Sequence, residues 1–478
     1  MSRDTRSSVA SGTLWSAIDR FGVVLLQFVV NLMLARLLMP SDFGLVGMIL
    51  IFVALSQTLV DGGFGAALIH KVDASSVDYS TIFFWNILFA ITLYVGVFIS
   101  AHWVSEFFRI ELLETLLPIL GTVIIINSLT IVQRAILRKS LNFRAIAIAD
   151  ILSYGGSAVV AVVMASVGCG VWSFVGMYLS NALLSVLLFW SLSPWRPTPQ
   201  FSFITLWQLL SYGGFLLVAS IMQDLCTHIQ GVVIGRRFSA LEMGLYAQAK
   251  KMDEVASMTV PAVLCQVLFP IYSQLQSDKR RLCSMLGRNI RMVAFVIFPL
   301  MMMLIIVAEP LFLWLYGEQW VGAVFYFQIL CIGGFFSALY NFSYYAVAAV
   351  GRSRELFFWG CYKWGMLLIL LLVGASVSML GVLVAMVVSN ANIWLTNSLL
   401  SQRYIGYRVA QQFRDVAPAL VISIISGGVM FGLYRYLALH WVVCCLLFML
   451  FYVGVAWVCG CSVLRDIRNF VVSYRGVL

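Results

Sequence analysis

Apolar residues run through this chain in stretches of about twenty or more, the length that crosses a hydrocarbon core as a helix, with short polar segments between them. Six occupy 12–35, 43–67, 81–101, 113–133, 146–167 and 170–192. The Pro-rich break Pro194-Trp195-Arg196-Pro197-Thr198-Pro199 follows, with the punctuation of a linker between two halves. Eight more runs occupy 206–233, 243–273, 290–308, 322–347, 357–376, 379–400, 416–435 and 440–462. The pattern predicts an all-α polytopic membrane protein with about fourteen transmembrane helices, six before the break and eight after it.

Composition agrees: of 478 residues 62% are hydrophobic and 10% charged, against about 45–50% and about 25% in globular chains. Fourteen spans commit roughly 280 residues to the bilayer. The remainder, divided among loops and tails, leaves no room for a folded extramembrane domain and excludes most enzymes that act on soluble substrates. The first run is longer than a signal-peptide core and lacks a small-residue cleavage site, so it is expected to be a retained helix. Nine of the ten cysteines lie in apolar stretches and none has metal-ligand spacing, so they read as packing residues, and no metal or cofactor is expected.

Charge sets the orientation, because Lys and Arg are retained on the cytoplasmic side. With the N-terminus inside, the inner segments hold 21 Lys and Arg and the outer ones five, Arg36, Arg109, Arg236, Arg237 and Arg435. Both termini are therefore expected to be cytoplasmic. The net charge of +10 is then a product of topology and does not point to nucleic acid.

An internal repeat divides the chain further. Leu34-Ala35-Arg36 through Asp42-Phe43-Gly44-Leu45 aligns with Ile234-Gly235-Arg236 through Glu242-Met243-Gly244-Leu245 at an offset of 200, and Ser180-Asn181-Ala182 recurs as Ser389-Asn390-Ala391. The matches describe a six-helix lobe at 1–195, a second in the same orientation at 196–402, and two additional helices with a cytoplasmic tail at 403–478. Parallel lobes are a common construction of secondary transporters, which bind substrate between them near mid-membrane.

Several segments carry a family resemblance: Asp42-Phe43-Gly44-Leu45, Asp61-Gly62-Gly63-Phe64-Gly65-Ala66-Ala67-Leu68-Ile69, Arg134-Ala135-Ile136-Leu137-Arg138 with Leu141, Phe143 and Arg144, Gly170-Val171-Trp172, Ser193-Pro194-Trp195-Arg196-Pro197, and Tyr316-Gly317-Glu318-Gln319-Trp320. With them the chain resembles the bacterial Wzx-type polysaccharide exporters, flippases of the multidrug, oligosaccharidyl-lipid and polysaccharide exporter superfamily, in the branch of the colanic acid and teichuronic acid exporters. The resemblance runs from about residue 10 to about 415 and is stronger in the first half. It implies a flippase of the bacterial cytoplasmic membrane that turns a polyprenyl-pyrophosphate-linked oligosaccharide from the inner to the outer leaflet by alternating access. Its implied partners are that lipid-linked sugar, membrane lipids, and the polysaccharide polymerase and chain-length proteins.

A pyrophosphate head group needs a wet, cationic cavity, so basic and amide residues inside the helices are the candidate contacts. The substrate-binding candidates are Arg20, Gln133, Arg134, Arg138, Lys250, Lys251 and Lys363; the coupling or gating acids are Asp19, Asp61, Asp150, Asp224 and Glu254. For each a plainer reading stands beside the functional one. Asp19 and Arg20 can lock helix packing as a pair, and Lys250, Lys251, Asp253 and Glu254 can form a structural network through i, i+3 and i, i+4 spacings. Arg134 and Arg138 can be topology anchors; as substrate groups, their planar forks suit phosphate at a cytoplasmic entrance. Lys363 has no acid within one turn and needs either a partner from another helix or an anionic ligand.

The chain has no glycine-rich loop ending in Lys-Ser or Lys-Thr, hence no nucleotide-driven pump. The membrane potential itself favours outward movement of an anion, by about 2.3 kcal/mol per charge per 100 mV, so a coupling ion, H⁺ or Na⁺, is allowed but not required. Two rivals stay open, a drug or cation antiporter of the same superfamily and a membrane polysaccharide polymerase or ligase; the latter ordinarily needs a larger outer loop to hold a catalytic constellation.

Overall fold

A computed structural model describes residues 3–71, 73–437, 440–460 and 463. The regular structure of these residues is helical. The chain forms two compact units, Met1–Gly244 and Leu245–Leu478.

In the first unit the helices are α1 Arg3–Leu37, α2 Pro40–Asp61, α3 Phe64–His70, α4 Ser76–Phe108, α5 Leu112–Ser128, α6 Ile131–Lys139, α7 Phe143–Ser166, α8 Trp172–Leu192 and α9 Phe203–Arg237. Helix α10, Ala240–Ser257, begins there and runs into the second unit. The second unit continues with α11 Thr259–Gln274, α12 Lys279–Ile306, α13 Ala308–Leu315, a 3₁₀ turn at Glu318–Trp320, α14 Val321–Ala349, α15 Ser353–Val377, α16 Met379–Tyr404, α17 Val409–Leu437 and α18 Trp441–Val458.

Eleven helices among the described residues are long and apolar enough to cross a membrane, or twelve if the bent pair α10 and α11 is one span. The predicted runs at 12–35 and 206–233 are helical as α1 and α9. The end of the last predicted run at 461–462 and the basic tail residues Arg465, Arg468 and Arg475 lie outside the described residues.

Several predicted single helices are broken, for local reasons. The run at 43–67 stops at Asp61 because Gly62 (φ 55°) and Gly63 (φ 71°) enter the left-handed region, where side chains are strained, and α3 restarts at Phe64. The run at 113–133 divides between α5 and α6 at Leu129-Thr130, where the Thr130 hydroxyl and N–H both donate to the Asn127 carbonyl, at 2.8 and 3.0 Å. The run at 290–308 begins eleven residues early, at Lys279, because the Asp278 side chain accepts the Arg281 N–H at 3.1 Å and caps the helix.

Where the repeat motifs meet, α2 and the start of α10 touch backbone to backbone. A Cβ on Gly44 would lie 1.8 Å from the Ala240 carbonyl oxygen, and one on Gly244 would lie 1.7 Å from that of Pro40. Each helix thus needs glycine at the same repeat position. The Pro-rich segment, expected as a linker, is docked within the first unit: Arg196 donates to the carbonyls of Ser193 (2.7 Å) and Trp190 (2.9 Å), and the Thr198 N–H donates to Ser80 Oγ at 3.1 Å on α4.

Candidate functional site

In the first unit the six helices α1, α2, α5, α6, α7 and α8, with α3 beside α2, line a cavity of about 830 Å³. Each contributes residues at helical spacing: Asp19, Val23 and Gln27 from α1, Gln57 and Asp61 from α2, Asn127 at the end of α5 with Arg134 and Arg138 on α6, Asp150, Ser153 and Tyr154 from α7, and Asn181 and Ser185 from α8. These intervals of three and four residues keep one face of each helix turned inward. The breaks in the chain help to aim these faces. Stopping α2 at the glycine pair leaves Asp61 exposed at the helix end, with Gly65 of α3 on the same wall.

Arg134 and Asp150 are joined by two bonds, Nη2 to Oδ1 at 2.7 Å and Nη1 to Oδ2 at 3.0 Å. This is the fork-to-fork geometry in which a charge-assisted pair is strongest. The guanidinium also lies over the Phe189 ring, 4.5 Å from its centroid, which fixes its plane. Arg138, one turn further along, is exposed and makes no ion pair among the described residues. Asp19 Oδ1 and Gln57 Oε1 are buried in the same wall without a hydrogen-bond partner among the described residues.

Five predicted residues, Asp19, Asp61, Arg134, Arg138 and Asp150, therefore share one cavity. Gln133 does not line it. It is fully buried on the opposite side of α6, where its amide can donate to the Leu129 carbonyl at 2.7 Å and accept from Trp190 Nε1 at 3.2 Å. Asp224 accepts a hydrogen bond from the Thr58 hydroxyl between α9 and α2. The Arg20 side chain lies outside the described residues.

The remaining candidates belong to the second unit. Lys250 pairs with Glu254 at 3.6 Å across one turn of α10, as the spacing predicted, and the exposed Lys251 lies beside them. Lys363 on α15 is 7% exposed. Its Nζ donates to Asn397 Oδ1 on α16 at 2.9 Å and sits 5.5 Å from the Tyr344 ring centroid; Asn397 in turn donates to the Tyr340 carbonyl at 3.0 Å. A partner from another helix is therefore present, but it is a neutral amide.

Sequence reasoning overlooked Gln27, Gln57, Asn127, Thr130, Ser153, Tyr154, Asn181 and Ser185. The missing signal was available, since these polar positions repeat at three and four residues inside otherwise apolar runs. Ser and Asn, unlike charged residues, are too common in membrane helices to stand out singly.

A multi-pass helical membrane protein with a charged, amide-rich cavity among its helices is built like a carrier. The family described as "Polysaccharide biosynthesis protein" matches residues 33–325, and the chain belongs to it. It is 26% identical to the teichuronic acid biosynthesis protein TuaB of Bacillus subtilis (strain 168), covering 89% of this chain and 88% of that one. It is also 26% identical to the lipopolysaccharide biosynthesis protein WzxC of Escherichia coli (strain K12), over 70% of this chain and 69% of the other. In fold it is similar to the lipid II flippase MurJ in an inward closed conformation, with a TM-score of 0.75 and 14% identity, covering 95% of this chain and 99% of that one.

Proposed function

We propose that the chain is a flippase that carries a polyprenyl-pyrophosphate-linked oligosaccharide from the inner to the outer leaflet of a bacterial cytoplasmic membrane by alternating access. It moves its substrate without chemical change. The observation that carries this reading is the cavity of the first unit, where Arg138 is open and Arg134 is held flat and bidentate by Asp150. Arg134 is positioned to exchange a carboxylate for phosphate oxygens of the same fork geometry. The amides and hydroxyls around it suit the hydroxyl groups of a sugar. The relatives, teichuronic acid and lipopolysaccharide biosynthesis proteins, support a lipid-linked sugar as cargo, and the likeness to a lipid II flippase supports the fold for that task.

Asp19 and Asp61 line the cavity with Arg138, and a coupling H⁺ or Na⁺, if export uses one, would bind at these acids. On this reading its further partners are the polysaccharide polymerase and chain-length proteins that act on the exported units. Arg138→Ala should abolish surface polysaccharide while leaving the protein in the membrane at its normal level; undiminished export would remove the cavity from the pathway. The orientation has its own test. A membrane-impermeant thiol reagent should label a cysteine placed at 109 or 318 from outside and fail at 280.

The three carboxylates of the cavity favour one second reading, an antiporter of cationic compounds. Binding of anionic lipid-linked sugar in preference to cationic dyes separates the two.

A further inference from the structure

The second unit holds another polar recess, of about 450 Å³, between the first turns of α12 and the connection from α16 to α17. Its walls include Lys279, Arg280, Ser284, Gly287, Arg291 and Asp415. Three cations thus face one carboxylate, and that carboxylate is already engaged. Asp415 Oδ2 receives Arg291 Nη1 at 3.1 Å and the hydroxyl of the buried Tyr407 at 2.7 Å. The nearby Asp278 is engaged as well, by Arg281 at 3.3 Å.

Arg291 is left half satisfied, because its Nε–H is buried and has no partner among the described residues. A buried guanidinium N–H is costly to leave without an acceptor. Lys279 and Arg280 stand exposed at the rim and make no ion pair among the described residues. Gly287 keeps the floor open, since a Cβ there would lie 3.3 Å from both Asp415 Oδ2 and Tyr407 Oη. The recess therefore has cations at its mouth, an unfilled N–H inside and room between them.

We propose that this recess binds the phosphate of an anionic phospholipid head group. It lies where the spans of α12, α16 and α17 end, at the depth of lipid head groups, and basic recesses between helices at that level suit such heads. Deeper in the membrane α12 and α17 expose Val296, Val421 and Ile424, apolar surface on which acyl chains can lie. The occupant is a resident lipid rather than cargo, so the site rests on the membrane placement of these helices and not on the identity of the transported sugar.

Native mass spectrometry of the full-length protein, titrated with phosphatidylglycerol or with phosphatidylcholine, tests the proposal. The wild type should retain phosphatidylglycerol in preference to phosphatidylcholine. K279A/R280A removes two exposed, unpaired cations and should weaken that retention about 25-fold, given roughly a fivefold contribution from each basic group near a lipid surface. Arg291→Lys keeps a charge for Asp415 but removes the Nε–H, and should weaken retention with little change in melting temperature. Equal retention of the two lipids, or of phosphatidylglycerol by wild type and the double variant, would overturn the site. Inorganic phosphate that bound as tightly as phosphatidylglycerol would overturn the lipid as its occupant.

Discussion

The two units treat the same repeat position differently. In the first, α2 ends at Asp61, two left-handed glycines follow, and the acid stands in a cavity opposite Arg138. Two hundred residues further on the corresponding stretch has Pro261. There the helix bends by 45° between Ser257 and Pro261, Asp253 is buried one turn before the bend, and Lys250 and Glu254 pair across a turn. At Gly44 and Gly244, by contrast, the two copies do the same thing, each admitting the other's backbone. The repeat reproduces backbone geometry where helices touch. It does not reproduce the chemistry where polar groups meet. The same division appears in the cations: Arg134 is matched by a carboxylate at an open wall, whereas Lys363 is buried against an amide and a ring.

The shared feature should give the largest effects. Gly44→Ala and Gly244→Ala each drive a methyl into a carbonyl oxygen that no rotamer change can move. Each should destabilise the protein by at least about 1–3 kcal/mol, read as a fall in melting temperature in detergent, while Gly96→Ala, with open space around it, should not. Unequal losses at 44 and 244 would break the symmetry claimed for that contact.

The unlike features should give smaller and divergent effects. Arg134→Ala strands Asp150 and should cost roughly 1–3 kcal/mol together with export. Adding Asp150→Ala should recover stability but not export, and the double-mutant cycle measures the pair directly. If export returned with stability, Arg134 would be a structural residue only. Lys363→Met replaces a buried cation, held by the neutral Asn397 amide and the Tyr344 ring, by an apolar side chain of similar length. Its stability should stay within about 1 kcal/mol of wild type, so a loss of export without a loss of protein would identify Lys363 as a contact for an anion. A collapse in stability instead would assign it to packing between α15 and α16.

The sequence alone determined that the chain is helical and membrane-spanning, because an apolar run can satisfy its backbone in a bilayer only as a helix. Its motifs carried the family, and its isolated charges marked Asp19, Asp61, Arg134, Arg138 and Asp150 as residues that something must meet. Which group meets each one was decided by tertiary structure. Asp150 reaches Arg134 because α6 and α7 fold against each other, Asn397 reaches Lys363 because α15 packs on α16, and Gln133 turns inward to Trp190 although its neighbour Arg134 faces the cavity. A polar residue in an apolar run announces the cost of burying it, and that cost is local. The partner that offsets it comes from whichever helix lies alongside, and sequence spacing within one helix does not record that neighbour.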